Sequence, residues 1–266
     1  MVIPVPSNKN PFLIHVGIRS FEPISLGIRC YDPSKPNTDY IRRKVAFHQS
    51  QFVNRKSVYR EFTLLFPLSP DTLAVELFDK VSGYDDAFTI EKFKVEKLEP
   101  TEVWAEPEIH RFIEFAQDFA EKAGYVPAGV YDDPEGEFLI QYIPEITDQY
   151  GEPLVTPART NRVSGRIQVA QSEFKGYTIP VRLVVLFHER YHFQIPTRLE
   201  KPADLHGIRL YLDLGFPRTE AVYATTKIFL SHPDTVGVAH RNRVRDVIRF
   251  INDYSFRKGK KMNQAA

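Results

Sequence analysis

The chain has 266 residues, with 35 Lys and Arg against 34 Asp and Glu, a formal net charge of +1, and 42% hydrophobic residues. That balance gives no electrostatic case for a nucleic-acid or anionic-membrane partner, and no apolar run approaches the ~18 residues of a membrane span. The single cysteine, Cys30, excludes an internal disulfide, and no basic-then-apolar leader opens the chain, so cytoplasm is the expected compartment.

Residues 1–98 read as β-structure. Residues 12–18 and 24–30 are short apolar strands on either side of the turn at Glu22 and Pro23. Phe62, Leu64 and Phe66 alternate, as do Leu73, Val75 and Leu77, so each stretch predicts a strand with one buried face, the two joined by a turn over residues 67–71. Phe88 and Ile90 continue the alternation, and Phe93 and Val95 resume it one residue out of phase, which predicts a β-bulge. About five or six strands at this spacing favour an antiparallel β-sandwich, a recognition domain with a surface for a protein partner. Tyr84-Asp85-Asp86 has too few carboxylates for a calcium cage and reads as a solvated loop, as does the basic run Arg42-Arg43-Lys44.

Residues 99–107, rich in proline and acid, predict a domain boundary. A helix follows, with Pro107 and Glu108 at its start and Gly124 just past its end. Ile109, Phe112, Ile113, Ala116, Phe119 and Ala120 form its buried stripe. Residues 132–136 predict a turn and 138–143 a strand. The polar segment 144–164 predicts loops over a site, and 166–170 alternates as a further strand. The expected fold class is thus α+β, a β-sandwich over residues 1–98 followed by a mostly helical domain with a small sheet over 108–256. A basic disordered tail over 257–266 completes the chain.

The second domain carries His188-Glu-Arg-Tyr-His192. Two imidazoles four residues apart share one face of a helix, one turn apart. That spacing lets His188 and His192 bind one zinc ion and leaves Glu189 beside the attacking water as general base. Thr178 suits the N-cap and Pro180 the first turn, while Val181, Val184, Val185, Leu186 and Phe187 make the helix apolar nearly all round. Two histidines and a glutamate are costly to bury there without a partner, and a metal supplies one. Arg190 and Tyr191 fill places that are usually uncharged in such helices, Arg190 pointing off the histidine face toward solvent or a carboxylate. The alternative is an amphipathic helix end whose His and Glu side chains face water.

Residues 165–169, 177–182, 188–192, 203–206 and 211–217 together resemble the H-E-x-x-H zincin-like metallopeptidases, nearest the gluzincin type of phage-associated or bacterial proteins. The resemblance spans about residues 160–225 and does not reach the β-rich half. It implies a zinc cofactor, a peptide or protein substrate and amide hydrolysis, and a virion location if the gene is a phage's. In peptidases of this type the strand before the helix often lies at a sheet edge and pairs with an extended substrate, so 166–170 is either such an edge or an ordinary sheet strand.

A catalytic zinc takes three protein ligands, and this family often draws the third from an E-x-x-A-D pattern on the next helix. Glu200-Lys-Pro-Ala-Asp204 fits it, with Glu200 as ligand and Asp204 as ligand or as the group that orients a ligand histidine. With Pro202 expected to start that helix, either carboxylate reaches the metal. Glu220 and His206 are further candidates, and Tyr191, Tyr211 and Tyr223 are oxyanion donors or core tyrosines. Helices are expected up to Gly215, over 217–230 and over 241–254, with His232 and His240 in a solvent-facing loop. Two rival readings remain: a catalytically inactive zincin-like binding or structural protein, such as a phage assembly component, and an interaction module closed around a fully protein-ligated metal.

Overall fold

The computed structural model describes the chain except residues 82–85, 100–105, 196–198, 231–236 and 263–266, and omits the side chains of 229–230 and 255–262. It divides into two compact units, Met1–Thr101 and Glu102–Ala266. Tyr84, Asp85, His232 and most of the proposed boundary segment lie outside the described residues.

The first unit is built from β1 (Val2–Pro6), β2 (Phe12–Ser20), β3 (Ser25–Tyr31), β4 (Asp39–Ala46), β5 (Val58–Phe66), β6 (Thr72–Asp79) and β7 (Phe88–Lys97). These form two antiparallel sheets, ordered β1-β6-β3-β4 and β5-β2-β7. The alternation in sequence becomes alternation in burial: Ile14, Val16 and Ile18 on β2, Leu26, Ile28 and Cys30 on β3, and Leu73, Val75 and Leu77 on β6 are all enclosed. The bulge falls where the phase slipped. Gly17 faces Lys92 and Ile18 faces Ile90, so Glu91 is the extra residue, and it holds Arg19 of β2 in an ion pair.

β4 corrects one expectation. Arg42, Arg43 and Lys44 lie on a strand, not in a loop. Asp39 at its start is 1% exposed and accepts from Arg29 at 3.0 Å while pairing with Arg42, so the run helps neutralise a buried carboxylate on an edge strand.

The second unit comprises α1 (Pro107–Lys122), β8 (Gly129–Asp132), β9 (Leu139–Ile143), β10 (Ala158–Thr160), β11 (Ile167–Ala170), α2 (Gln171–Phe174), α3 (Ile179–Gln194), α4 (Glu200–Asp213), α5 (Arg218–Leu230) and α6 (Val238–Met262). Its sheet runs β10-β11-β9-β8, parallel between β11 and β9 and antiparallel elsewhere. The strand at 166–170 is therefore interior, and the edge belongs to β10. A turn closed by Asn161 N–H to Arg166 O (2.9 Å) and Gly165 N–H to Asn161 O (2.8 Å), with Gly165 at φ +71°, folds β10 back onto β11. α1 buries its apolar stripe, with Phe112 against Phe138 and Phe187, and Phe119 edge-on to Tyr142.

Two helices differ from expectation at their ends. α4 begins at Glu200 rather than Pro202, since proline in a first turn lacks only an N–H that has no helical partner anyway. α6 begins at Val238 and continues to Met262, into the segment expected to be disordered, whose last residues 263–266 lie outside the described ones; no proline interrupts it, and Lys and Arg favour helix. Thr178 is the N-cap of α3 and Pro180 stands in its first turn, both as expected, though the Thr178 side chain makes no capping bond.

Candidate metal centre

α3 is fixed before it presents any chemistry. Arg182, fully buried, donates to Phe174 O (3.0 Å), Ala120 O (2.7 Å) and Lys175 O (3.2 Å), satisfying carbonyls at the C-terminal ends of α1 and α2. Of the two partners open to Arg190, solvent or a carboxylate, the structure gives it the carboxylate. It pairs with Glu108 of α1 and lies over the rings of Phe112 (5.3 Å), Phe138 (4.8 Å) and Phe193 (4.8 Å). Burial lowers its pKa, opposed by Glu108. Arg190 thus belongs to the packing behind α3, away from the histidine face.

On that face His188 Nε2 and His192 Nε2 are 3.2 Å apart. Glu200, in the first turn of α4, brings Oε2 to 3.4 Å from His188 Nε2 and Oε1 to 3.6 Å from His192 Nε2. Donors bonded at about 2.05 Å to one tetrahedral zinc ion lie about 3.3 Å from each other. The His188, His192 and Glu200 atoms match that spacing, and all fall within 4.8 Å of one another. They form the one such group among the described residues. Two neutral nitrogens and one carboxylate are a borderline-soft donor set of the kind zinc takes, and three donors leave a coordination position open.

Asp204 lies behind His188 and outside the three-donor group. Its Oδ1 is 3.0 Å from His188 Nδ1, on the far side of the ring from Glu200, and its side chain is 3% exposed. That contact keeps a proton on Nδ1 and aims Nε2 at the cluster. Burial opposes charge on His188, but the hydrogen bonds to Asp204 and Glu200 and the nearby charges of Glu189 and Asp204 outweigh it and raise its pKa to about 10. Glu200 is held well below the usual carboxylate range by its bonds to the two histidines, against desolvation and with help from Arg243.

Arg243 of α6 carries no motif in sequence. It donates Nε and Nη2 to the two oxygens of Asp204, each at 2.8 Å, and Nη2 to Glu200 Oε2 at 3.2 Å. The bidentate pair anchors the carboxylate that orients His188. α4 can approach α3 this closely because Gly207 faces the backbone of His188, where an added Cβ would stand 3.0 Å from its N and 3.3 Å from its Cα.

Glu189 is 7% exposed on the same turn. Thr160 Oγ1, from edge strand β10, lies 2.7 Å from Glu189 Oε2 and 2.8 Å from Glu189 O, and its single hydrogen serves one of them at a time. These groups open onto a cleft of about 370 Å³, lined by residues 155–160, Arg162, Val184, Val185, Ile208, Thr225, Ile228, His240, Arg243 and Val247.

Other candidates fall elsewhere. Glu220 is buried on α5 and His206 packs its ring on Tyr191 at 4.5 Å; neither lines the cleft. Tyr211 stacks on Phe216 at 4.3 Å and Tyr223 is exposed, so none of the three tyrosines faces the cluster across the cleft. His240, expected in a solvent-facing loop, stands instead in the first turn of α6 and lines the cleft, because that helix starts earlier than its apolar pattern does. No helix among the described residues is long and apolar enough to cross a membrane.

Comparison of the chain with models of known families, with curated proteins and with solved structures finds no match in any of the three.

Proposed function

We propose that the second unit is a zinc-dependent peptidase of the zincin-like type. The observation that carries this is the convergence of His188 Nε2, His192 Nε2 and Glu200 at tetrahedral spacing, with Glu189 one residue along the same helix. Bound zinc supplies Lewis acidity, which polarises a peptide carbonyl and acidifies water. Glu189 accepts the proton of the attacking water and delivers it to the leaving amine. Thr160 fixes the direction of that carboxylate from β10, and Asp204, itself held by Arg243, fixes the tautomer of His188. β10 is the last strand of its sheet and lines the cleft, so its outer edge takes the extended substrate. His240 replaces the tyrosines as the candidate donor to the carbonyl oxygen. The two antiparallel sheets of the first unit are read as a sandwich that offers a protein partner a surface.

The reading is tested by metal analysis of purified wild type, His188→Ala and Glu189→Gln, alongside hydrolysis of a mixed peptide library. About one zinc per chain is expected in wild type and Glu189→Gln and none in His188→Ala, with cleavage by wild type alone. A wild type that takes up no zinc after reconstitution refutes it. Zinc uptake without cleavage of any peptide returns the protein to the inactive binding class.

A further inference from the structure

We propose that this cleft selects peptides with an acidic side chain next to the scissile bond, an inference resting on the peptidase reading. Its carboxylates are all engaged from within: Glu200 and Asp204 by His188, His192 and Arg243, and Glu189 by Thr160. Of its arginines, Arg243 is paired with Asp204 and Glu200, whereas Arg159 and Arg162 have no acidic partner among the described residues. Arg162, exposed on the turn after β10, lines the cleft with no hydrogen bond or ion pair among the described residues. Arg159, on β10 itself, donates to Gln168 Oε1 at 2.6 Å and Thr147 O at 2.9 Å, neutral oxygens that leave its charge uncompensated. Both arginines stand on the wall formed by β10 and its flanking turns, along which an extended chain would lie.

A guanidinium on a cleft wall fits a carboxylate through paired N–H donors, and repels a lysine or arginine side chain. Zinc in the cluster would add to the positive field without offering a competing acid. Two arginines without an acidic partner, beside acids that are each hydrogen-bonded from within, are what select an anionic peptide over a basic one.

The experiment measures binding by fluorescence anisotropy, using three labelled peptides of one length that differ only in Glu, Gln or Lys at the central positions. Wild type is measured metal-free, and the zinc-loaded, hydrolysis-deficient Glu189→Gln protein in parallel. Binding of the Glu peptide about tenfold tighter than the Lys peptide is expected, with the gap shrinking as salt rises. Arg162→Glu, at an exposed site, should abolish or reverse the order while zinc content stays at the wild-type level. Equal affinities, or a preference that survives Arg162→Glu combined with Arg159→Gln, overturn the inference. Zinc uptake and peptide cleavage without charge preference sink this inference alone, whereas an acidic preference in a protein that takes up no zinc supports the site and sinks the peptidase reading.

Discussion

Replacing Arg243 by alanine tests how the cluster is held together. The arginine is 22% exposed and gives two bonds of 2.8 Å to Asp204, whose side chain is 3% exposed, and one of 3.2 Å to Glu200. The variant leaves Asp204 buried, with His188 at 3.0 Å as its remaining partner among the described residues. Removing one member of a buried ion pair costs about 3–5 kcal/mol, and the retained histidine puts the expectation near the lower end, about 3 kcal/mol. For a unit of this size that corresponds to a fall in Tm of about 6–12 °C. The assay is thermal unfolding of the zinc-free full chain followed by far-ultraviolet circular dichroism at 222 nm, which weights the helical unit. Arg243→Lys keeps the charge but not the fork, and should recover about half of the loss. A Tm within about 2 °C of wild type for Arg243→Ala would show that Asp204 does not depend on α6, and the argument for Arg243 would fail.

Three more outcomes follow from the same geometry. His188 has a folded pKa of about 10 against an ordinary 6.5, so its contribution to zinc-free stability is complete below about pH 6.5 and drains away as pH rises through about 10. Zinc must displace that proton, so uptake at pH 7 should release one proton from His188 and affinity should climb about tenfold per pH unit, read by calorimetry in buffers of different ionisation enthalpy; zero release refutes the assignment. Thr160→Val keeps shape but loses the hydroxyl at Glu189, and should lower kcat about ten- to hundredfold with zinc content and KM unchanged, Thr160→Ser restoring it; an unchanged kcat would leave Thr160 a packing residue. Gly207→Ala would stabilise an ordinary helix by about 1 kcal/mol, but here its Cβ meets the His188 backbone and must push α4 and Glu200 away. Lower stability together with zinc binding weakened at least about tenfold is the expected result, measured by titration; a stabilised variant with full affinity contradicts the close approach.

The helix carrying the histidines was legible because its signals are local: an apolar stretch, a first-turn proline and a four-residue spacing all fall within one element. The bulge in β7 was legible for the same reason, since one residue out of phase can be counted. What was not legible is set by distance along the chain or by side chains that mask the pattern. β1 carries Pro4 and Pro6, and β4 carries Arg42, Arg43 and Lys44, tolerated because both are edge strands whose outer groups need no partner strand. β10 is Ala-Arg-Thr, too short to alternate, and only its pairing with β11 makes it a strand. Asp204 and Glu200 could not be told apart while the start of α4 was placed at Pro202; beginning the helix at Glu200 sets the two carboxylates one turn apart, on opposite sides of the His188 ring. Arg243 lies 39 residues from Asp204, and no local rule joins them.

Three arginines set around α3 and α4 suggest why this unit accepts buried charge at all. Arg182 ties α3 to the ends of α1 and α2, Arg190 ties it to α1 through Glu108, and Arg243 ties α4 to α6. None is the cheapest way to fill its space, since an apolar side chain of similar volume is often neutral or better for stability than a buried ion pair. What an apolar side chain lacks is direction. A guanidinium fork fixes its partner through defined N–H vectors, whereas hydrophobic packing tolerates small shifts of one helix along another. The proposed metal site, made from two helices, would need its donors held to within about 0.5 Å, and sliding α4 along α3 would part Glu200 from the histidines. The three arginines therefore belong to the same requirement as Gly207: the glycine lets the helices approach, and the arginines stop them from moving once they have.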